Sequence, residues 1–375
     1  MSKKLFTFFL LFLKVFYSPA QVNYLITGTY TSGKSEGIYV SRFNSIDGSV
    51  KELSHVKISN PSFLTVSPDQ RFVYAVQEDA ANKGNGGKIA SYSFDKETGK
   101  LTFINEQSSG GDHPCYVTTD HTGKWVVAGN YTGGSLAVLP VRPDGTLEKV
   151  ASLILHKGSG PNAIRQEKAH VHCTMFSADN RFLFVPDLGM DKVLIYAFDD
   201  VGGGLVPANQ PFVRSLPGSG PRHFCFHPNN KTAYLIEELS GTVIVYDYTN
   251  GRLKQKQHIS TMPAIDTSFA GSADIHISAD GRFLYASNRA NANTIAIFSV
   301  NPVNGKLVLL AHQPTLGKTP RNFSIDPSGN YLLVANQNSD EIVIFKRDKN
   351  TGMLTDTHNR FEVGNPVCLI WIKNK

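Results

Sequence analysis

Short apolar runs of about six residues, alternating with polar positions and separated by turn clusters, dominate the chain from Tyr24 onward. That period marks half-buried strands rather than helices. Aligning Pro61-Ser-Phe, Pro114-Cys-Tyr, Val171-His-Cys, Pro221-Arg-His, Ser272-Ala-Asp, Pro320-Arg-Asn and Pro366-Val-Cys gives a repeat with intervals of 53, 57, 50, 51, 48 and 46 residues. The first six units run on into a tight turn: Ser67-Pro-Asp-Gln-Arg-Phe72, Asp120-His-Thr-Gly-Lys-Trp125, Ser177-Ala-Asp-Asn-Arg-Phe182, His227-Pro-Asn-Asn-Lys-Thr232, Ser278-Ala-Asp-Gly-Arg-Phe283 and Asp326-Pro-Ser-Gly-Asn-Tyr331. Pro, Asp, Asn and Gly are the residues that turn a hairpin.

A second landmark, a glycine followed by x-Leu or x-Val between two further strand-like runs, falls at Gly48, Gly99, Gly145, Gly203, Gly251, Gly305 and Gly352. Two landmarks in equal number and fixed order predict four strands per unit, the blade of a propeller. The expected fold is therefore all-β, a seven-bladed β-propeller. The last unit, Pro366 to Ile372, supplies only an innermost strand, and Tyr24 to Ser59 supplies only the other three. Pairing the termini in one blade closes the ring and removes its exposed edges.

Residues 1–20 break the pattern. Ser2-Lys3-Lys4, an apolar run from Leu5 to Tyr17 and Ser18-Pro19-Ala20 predict a signal peptide cut before Gln21, leaving the propeller domain over 21–375. Lys14 interrupts a run already short of the ~20 apolar residues a span needs, so the expectation is an exported periplasmic or extracellular protein with no stable membrane insertion once the leader is removed. Loss of Lys3, Lys4 and Lys14 lowers the formal charge from +6 to +3. No dense Lys/Arg patch accompanies it, which argues against nucleic acid as a partner. Cys115, Cys173, Cys225 and Cys368 each fall in a repeated apolar strand and are expected as free core thiols. No Cys-x-x-Cys spacing suggests a metal, and His170-Val-His172 offers two imidazoles, too few for a site alone.

Strand direction places the chemistry. The start of each innermost strand and the end of the next emerge on one face near the channel. The starts contribute His170, His172, Arg222, His223, Asp274, His276, Arg321 and Asn322, and the ends contribute Glu78, Asp79, Asn130, Tyr131, Asp187, Glu237, Glu238, Asn288, Arg289, Asn336 and Gln337. Arg222, Arg289 and Arg321 around one channel call for an anionic partner, because burying guanidiniums without one is costly.

The runs Ala169-His-Val-His-Cys173, Gly220-Pro-Arg-His-Phe-Cys-Phe-His-Pro228, Asp274 to Arg289 and Pro320-Arg-Asn-Phe-Ser-Ile-Asp-Pro327 resemble the propeller-type 6-phosphogluconolactonase family, related to carboxymuconate-lactonising enzymes. The resemblance covers essentially the whole chain after the leader. It implies a hydrolase for a small-molecule sugar-acid lactone that needs no cofactor or metal, with His172, Arg222 and Glu238 as the catalytic set. Arg289, Arg321, His170, His223, Asp274 and Asn336 would bind substrate. Either Glu238 or His172 would take the water proton. Val171 and Asp274 stand where the family usually has Pro and Glu. A non-catalytic binding propeller of the cell envelope, or a lactonising enzyme acting on a muconate-like acid, would use the same ring of side chains.

Overall fold

The computed structural model describes residues 22–80, 86–263 and 270–373; the leader expected over residues 1–20 lies outside them. Seven four-stranded antiparallel sheets form the ring. Blade 1 holds Leu64–Val66, Phe72–Gln77, Lys88–Asp95 and Lys100–Ser108, and blade 2 holds Pro114–Thr119, Trp125–Asn130, Ser135–Pro140 and Ser152–Leu155. Blades 3, 4, 5 and 6 begin at Met175, Pro221, Ser272 and Pro320. Blade 7 is composite: Pro366–Ile372 pairs with Val22–Thr29, with Tyr24 opposite Ile372 and Thr29 opposite Pro366, followed by Gly37–Asn44 and Val50–Lys57. The closure read from the two termini is the one observed.

The core lies between the blades. Six of seven apolar clusters join two adjacent blades, as Val73, Ala75 and Tyr92 of blade 1 do with Ile26, Val40 and Cys368 of blade 7, and the seventh adds Tyr116 of blade 2 to blades 3 and 4. Full burial of such side chains contributes about 1.5–3 kcal/mol each. The two sequence landmarks are partners in these contacts. All seven landmark glycines have φ between +69° and +85°, a region open to glycine. A Cβ on Gly145 would lie 2.3 Å from the Phe72 ring, and one on Gly203, Gly251 or Gly352 would strike Trp125, Phe182 or Phe283. In five blades, counting Gly48 on Tyr331, the glycine of the outer turn thus seats the aromatic residue that ends the hairpin turn of the preceding blade, while Gly305 packs on Thr232 and Gly99 on Leu53. All four cysteines are free thiols, three of them buried.

Two innermost strands start later than the repeat predicts, blade 1 at Leu64 instead of Pro61 and blade 3 more markedly. Blade 3 should start at Val171, but only Met175–Phe176 pairs regularly, and Val171 makes an isolated bridge to Asp187. In blade 3 Pro186 removes one ladder bond. In blade 1 the Val76 N–H bonds the Phe63 carbonyl at the same place in the ladder, and proline has no N–H to give.

A bulge recurs at the channel end of the innermost strands. Pairing skips one residue between Pro114 and Tyr116, Pro221 and His223, and Pro320 and Asn322. The skipped residues are Cys115, Arg222 and Arg321. A bulge re-aims side chains, and here it turns two consecutive residues toward the axis. The residue before each bulged segment has φ of +41° to +68° at Asn60, His113, Gly220, Gly271, Thr319 and Asn365. Its carbonyl accepts from the first residue beyond the second strand, for example Tyr30 N–H to Asn365 O (3.1 Å) and Glu238 N–H to Gly220 O (2.7 Å).

Candidate active site

This repeated geometry builds two stacked tiers at the channel mouth. The skipped residues Cys115, Arg222 and Arg321, with His172 at the same position of blade 3, form the lower one. The residues just past the second strands form the upper one, with Tyr30, Glu78, Tyr131, Glu238 and Arg289. All of these but Arg222, together with Arg165, line a cavity of about 470 Å³. Below it the channel is plugged by the Phe63 and Tyr116 rings, stacked at 4.0 Å, with the His223 edge against both.

Glu238 is the electrostatic centre. Its Oε2 accepts from Arg222 Nε at 2.9 Å and lies 3.1 Å from Arg289 Nη2, while Oε1 accepts from Arg165 Nη2 at 2.6 Å. Burial alone would push its carboxyl up, but Arg289, Arg222 and Arg165 outweigh burial and hold it well below the usual carboxylate range. Burial lowers Arg289 to about 10, with Glu238 opposing that shift and Arg222, Arg321 and Arg165 adding to it. The His172 imidazole sits 3.9 Å from Glu238 Oε2, and burial together with Arg222, His223 and Arg321 depresses it well below its ordinary value. It is neutral at pH 7.

Arg222 is almost fully buried. Beyond Glu238 its Nη1 donates to the Ala273 carbonyl and lies over the His223 ring, 3.2 Å from Nε2 and 3.4 Å from Nδ1. On blades 6, 7 and 1 the cavity carries a different set. Arg321 lies 5.3 Å over the Tyr30 ring, and the Tyr30 hydroxyl donates to Glu78 Oε2 at 2.8 Å, which also accepts from Ser62. No carboxylate lies within ion-pair distance of Arg321 among the described residues, although Tyr30, Glu78 and Glu238 together outweigh burial and raise its pKa.

Of the nine residues singled out from the sequence, His172, Glu238, Arg289 and Arg321 line this cavity, and Arg222 is clamped beneath Glu238. The other four do not reach it. His170 stacks behind Tyr131 at 4.3 Å, with Nδ1 on the Tyr131 carbonyl. His223 and Asp274 lie one layer lower, joined Nδ1 to Oδ1 at 2.8 Å. Asn336 turns away from the axis and donates to the Thr315 carbonyl, as Asn130 does to Ser109 and Asn288 to Thr261. In blades 2, 5 and 6 the last residue of the second strand thus anchors a loop, and in blades 2 and 5 the next one, Tyr131 or Arg289, lines the cavity.

Sequence reasoning missed Tyr30 and Arg165. Tyr30 occupies the column of Glu78, Tyr131, Glu238 and Arg289 once the ring is closed, so the alignment contained its signal. Arg165 has none: it projects from the long connection into blade 3, which Gln166 pins through Leu188 O (2.8 Å) and Asp191 Oδ1 (2.7 Å). Among the described residues no three His, Cys, Asp or Glu side chains come together to hold a metal ion.

A buried carboxylate ringed by guanidiniums beside a neutral imidazole can position an ester carbonyl and stabilise negative charge on its oxygen. The chain matches the model of the seven-bladed β-propeller lactonases over residues 24–371 and belongs to that family. It is 43% identical over 334 residues to a 6-phosphogluconolactonase of Formosa agariphila, covering 88% of this chain and 94% of that protein. A 6-phosphogluconolactonase of Bacillus subtilis is 37% identical over 348 residues, covering 91% and 96%. Among solved structures, the periplasmic gluconolactonase PpgL of Pseudomonas aeruginosa superposes with a TM-score of 0.88 at 40% identity, covering 94% of this chain and 99% of that one.

Proposed function

We propose that this protein hydrolyses the lactone of a sugar acid that carries an anionic group of its own, 6-phosphogluconolactone fitting best, and releases the open-chain acid. The observation that carries this reading is the charge of the cavity. Arg165, Arg289 and Arg321 line it with only Glu78 and Glu238 as carboxylates, Arg222 adds its charge from beneath between Glu238 and Asp274, and no carboxylate lies within ion-pair distance of Arg321 among the described residues. A lining with more guanidiniums than carboxylates, one of them without an ion-pair partner, suits a phosphate monoester.

In this reading His172, neutral and beside Glu238, takes the proton from the attacking water. Glu238 is too strongly held by three guanidiniums to act as that base; it orients them and stabilises the imidazolium once formed. Arg222 Nη2, with no protein acceptor among the described residues, stabilises the oxyanion. The ring oxygen leaves as an alkoxide and recovers its proton from His172. Arg289 and Arg321 hold the substrate's phosphate.

The basic, apolar start at residues 1–20 and the periplasmic relative support export, and no helix among the described residues is long and apolar enough to cross a membrane. Acid release by the purified protein from 6-phosphogluconolactone and from gluconolactone tests the reading. A kcat/KM at least about tenfold higher for the phosphorylated lactone is expected. Equal values would assign the substrate to the unphosphorylated class, and no release from either would leave a binding propeller. Recovery of Gln21 as the N-terminus in an envelope fraction checks export.

A further inference from the structure

Directly under the cavity, Asp274 gathers a hydrogen-bonded line that the hydrolytic reading leaves without a role. Its Oδ1 accepts from His223 Nδ1 at 2.8 Å, and its Oδ2 accepts from His276 Nε2 at 2.9 Å and from Asn322. Asp274 is almost fully buried, whereas the His276 side chain is 40% exposed and lines the groove on the opposite face of the ring. The line therefore runs down the channel axis, His276 to Asp274 to His223, and ends against the Arg222 guanidinium.

Arg222 needs such a support. Its Nε is committed to Glu238 and its Nη1 to the Ala273 carbonyl, but both bonds leave the guanidinium free to tilt about the line joining them. The His223 ring removes that freedom: Nη1 is nearly equidistant from the two ring nitrogens, so the guanidinium rests on the imidazole face. The ring is itself held on two sides by Phe63 and Tyr116 and at Nδ1 by Asp274. A carboxylate directly beneath also offsets the cost of placing a guanidinium against a buried imidazole.

We propose that His223, Asp274 and His276 are positioning residues that set the plane of Arg222 from below, so that its free nitrogen points at the reacting carbonyl oxygen. This rests on the lactonase reading, because it is the orientation of Arg222 in the transition state that the line controls. None of the three touches substrate.

A double-mutant cycle separates this role from a merely structural one. Asp274→Asn is nearly isosteric and should lower kcat on the preferred lactone by roughly ten- to thirtyfold, the size of coupling found within one hydrogen-bonded network, with KM within about twofold. In the Arg222→Lys background the same change should cost less than about twofold, since the guanidinium it positions is gone. Asp274→Glu should recover part of the loss. If Asp274→Asn does not fold, judged by thermal melting, His276→Gln at the half-exposed end should show the same pattern on a smaller scale. Equal losses in both backgrounds, or a rise in KM alone, would overturn the proposal. Were the wild type to turn over no lactone at all, the functional reading fails separately. The relay is then judged by a crystal structure of Asp274→Asn, in which an unmoved Arg222 guanidinium counts against it.

Discussion

The two faces of the ring use the same residue types in opposite ways. On the hairpin-turn face Ser67, Ser177 and Ser278 each donate to the Asp two positions on at 2.6 Å. The same carboxylates accept from Arg71, Arg181 and Arg282 Nε at 2.6–2.9 Å, and each guanidinium lies over the adjacent Phe. Each of these ion pairs closes within its own turn, identically in three blades, with a second guanidinium nitrogen reaching the next blade at Pro143, Asn250 or Lys349. On the cavity face, Glu238 is shared by guanidiniums from two blades and a loop, and no blade repeats another. Repetition builds the scaffold, and departure from repetition marks the chemistry.

The sharpest test of that contrast is Arg222→Lys, which keeps the charge but loses the planar fork. Turnover is expected to fall by about a hundredfold or more, as loss of one oriented oxyanion donor typically does; steady-state kinetics on the preferred lactone measure it. Next comes Arg321→Ala, where KM for a phosphorylated lactone should rise roughly tenfold with kcat little changed, and KM for an uncharged lactone should hardly move.

Acid should weaken the interior of the cavity face before it touches the turns. Burial and then Arg222 lower the His223 pKa from 6.5 to about 4. The unfolded chain therefore binds this proton first, and stability falls as pH drops from 6.5 toward 4. The depressed carboxyls of Glu238 and Asp274 contribute stability that is present above their unfolded pKa and is lost on further acidification. Thermal melting across this range should show the first stage reduced in His223→Gln. The smallest effect is expected on the other face: Asp280→Asn should change stability by less than about 1 kcal/mol and turnover by less than about twofold. A large loss of activity there would break the comparison.

Most of the scaffold could be read in the chain because it is periodic. The hairpin turns and the landmark glycines recur with fixed order, and the termini complete each other at Tyr24 and Ile372. The site was only partly readable, for a related reason. Alignment put Arg222, Arg321 and His172 in one column, but not the bulge that turns two successive residues inward. Asn336 and Glu238 therefore looked equivalent, although one anchors a loop and the other faces the cavity. Arg165 lies in a connection with no counterpart in other blades, where periodicity carries no information. Pro186 was visible in the sequence, but its effect depends on which N–H the facing strand requires.

Closure through blade 7 also orders events in time. The strand Val22–Thr29 is made before the other strands and finds its inner partner, Pro366–Ile372, only after the six other blades have been made. Tyr30, which immediately follows that first strand, receives its backbone acceptor from Asn365. Six blades can form as the chain emerges, yet the cavity wall that includes Tyr30, Glu78 and Arg321 is not fixed until the last residues arrive. The pocket is thus a property of the closed ring and of no smaller part of it.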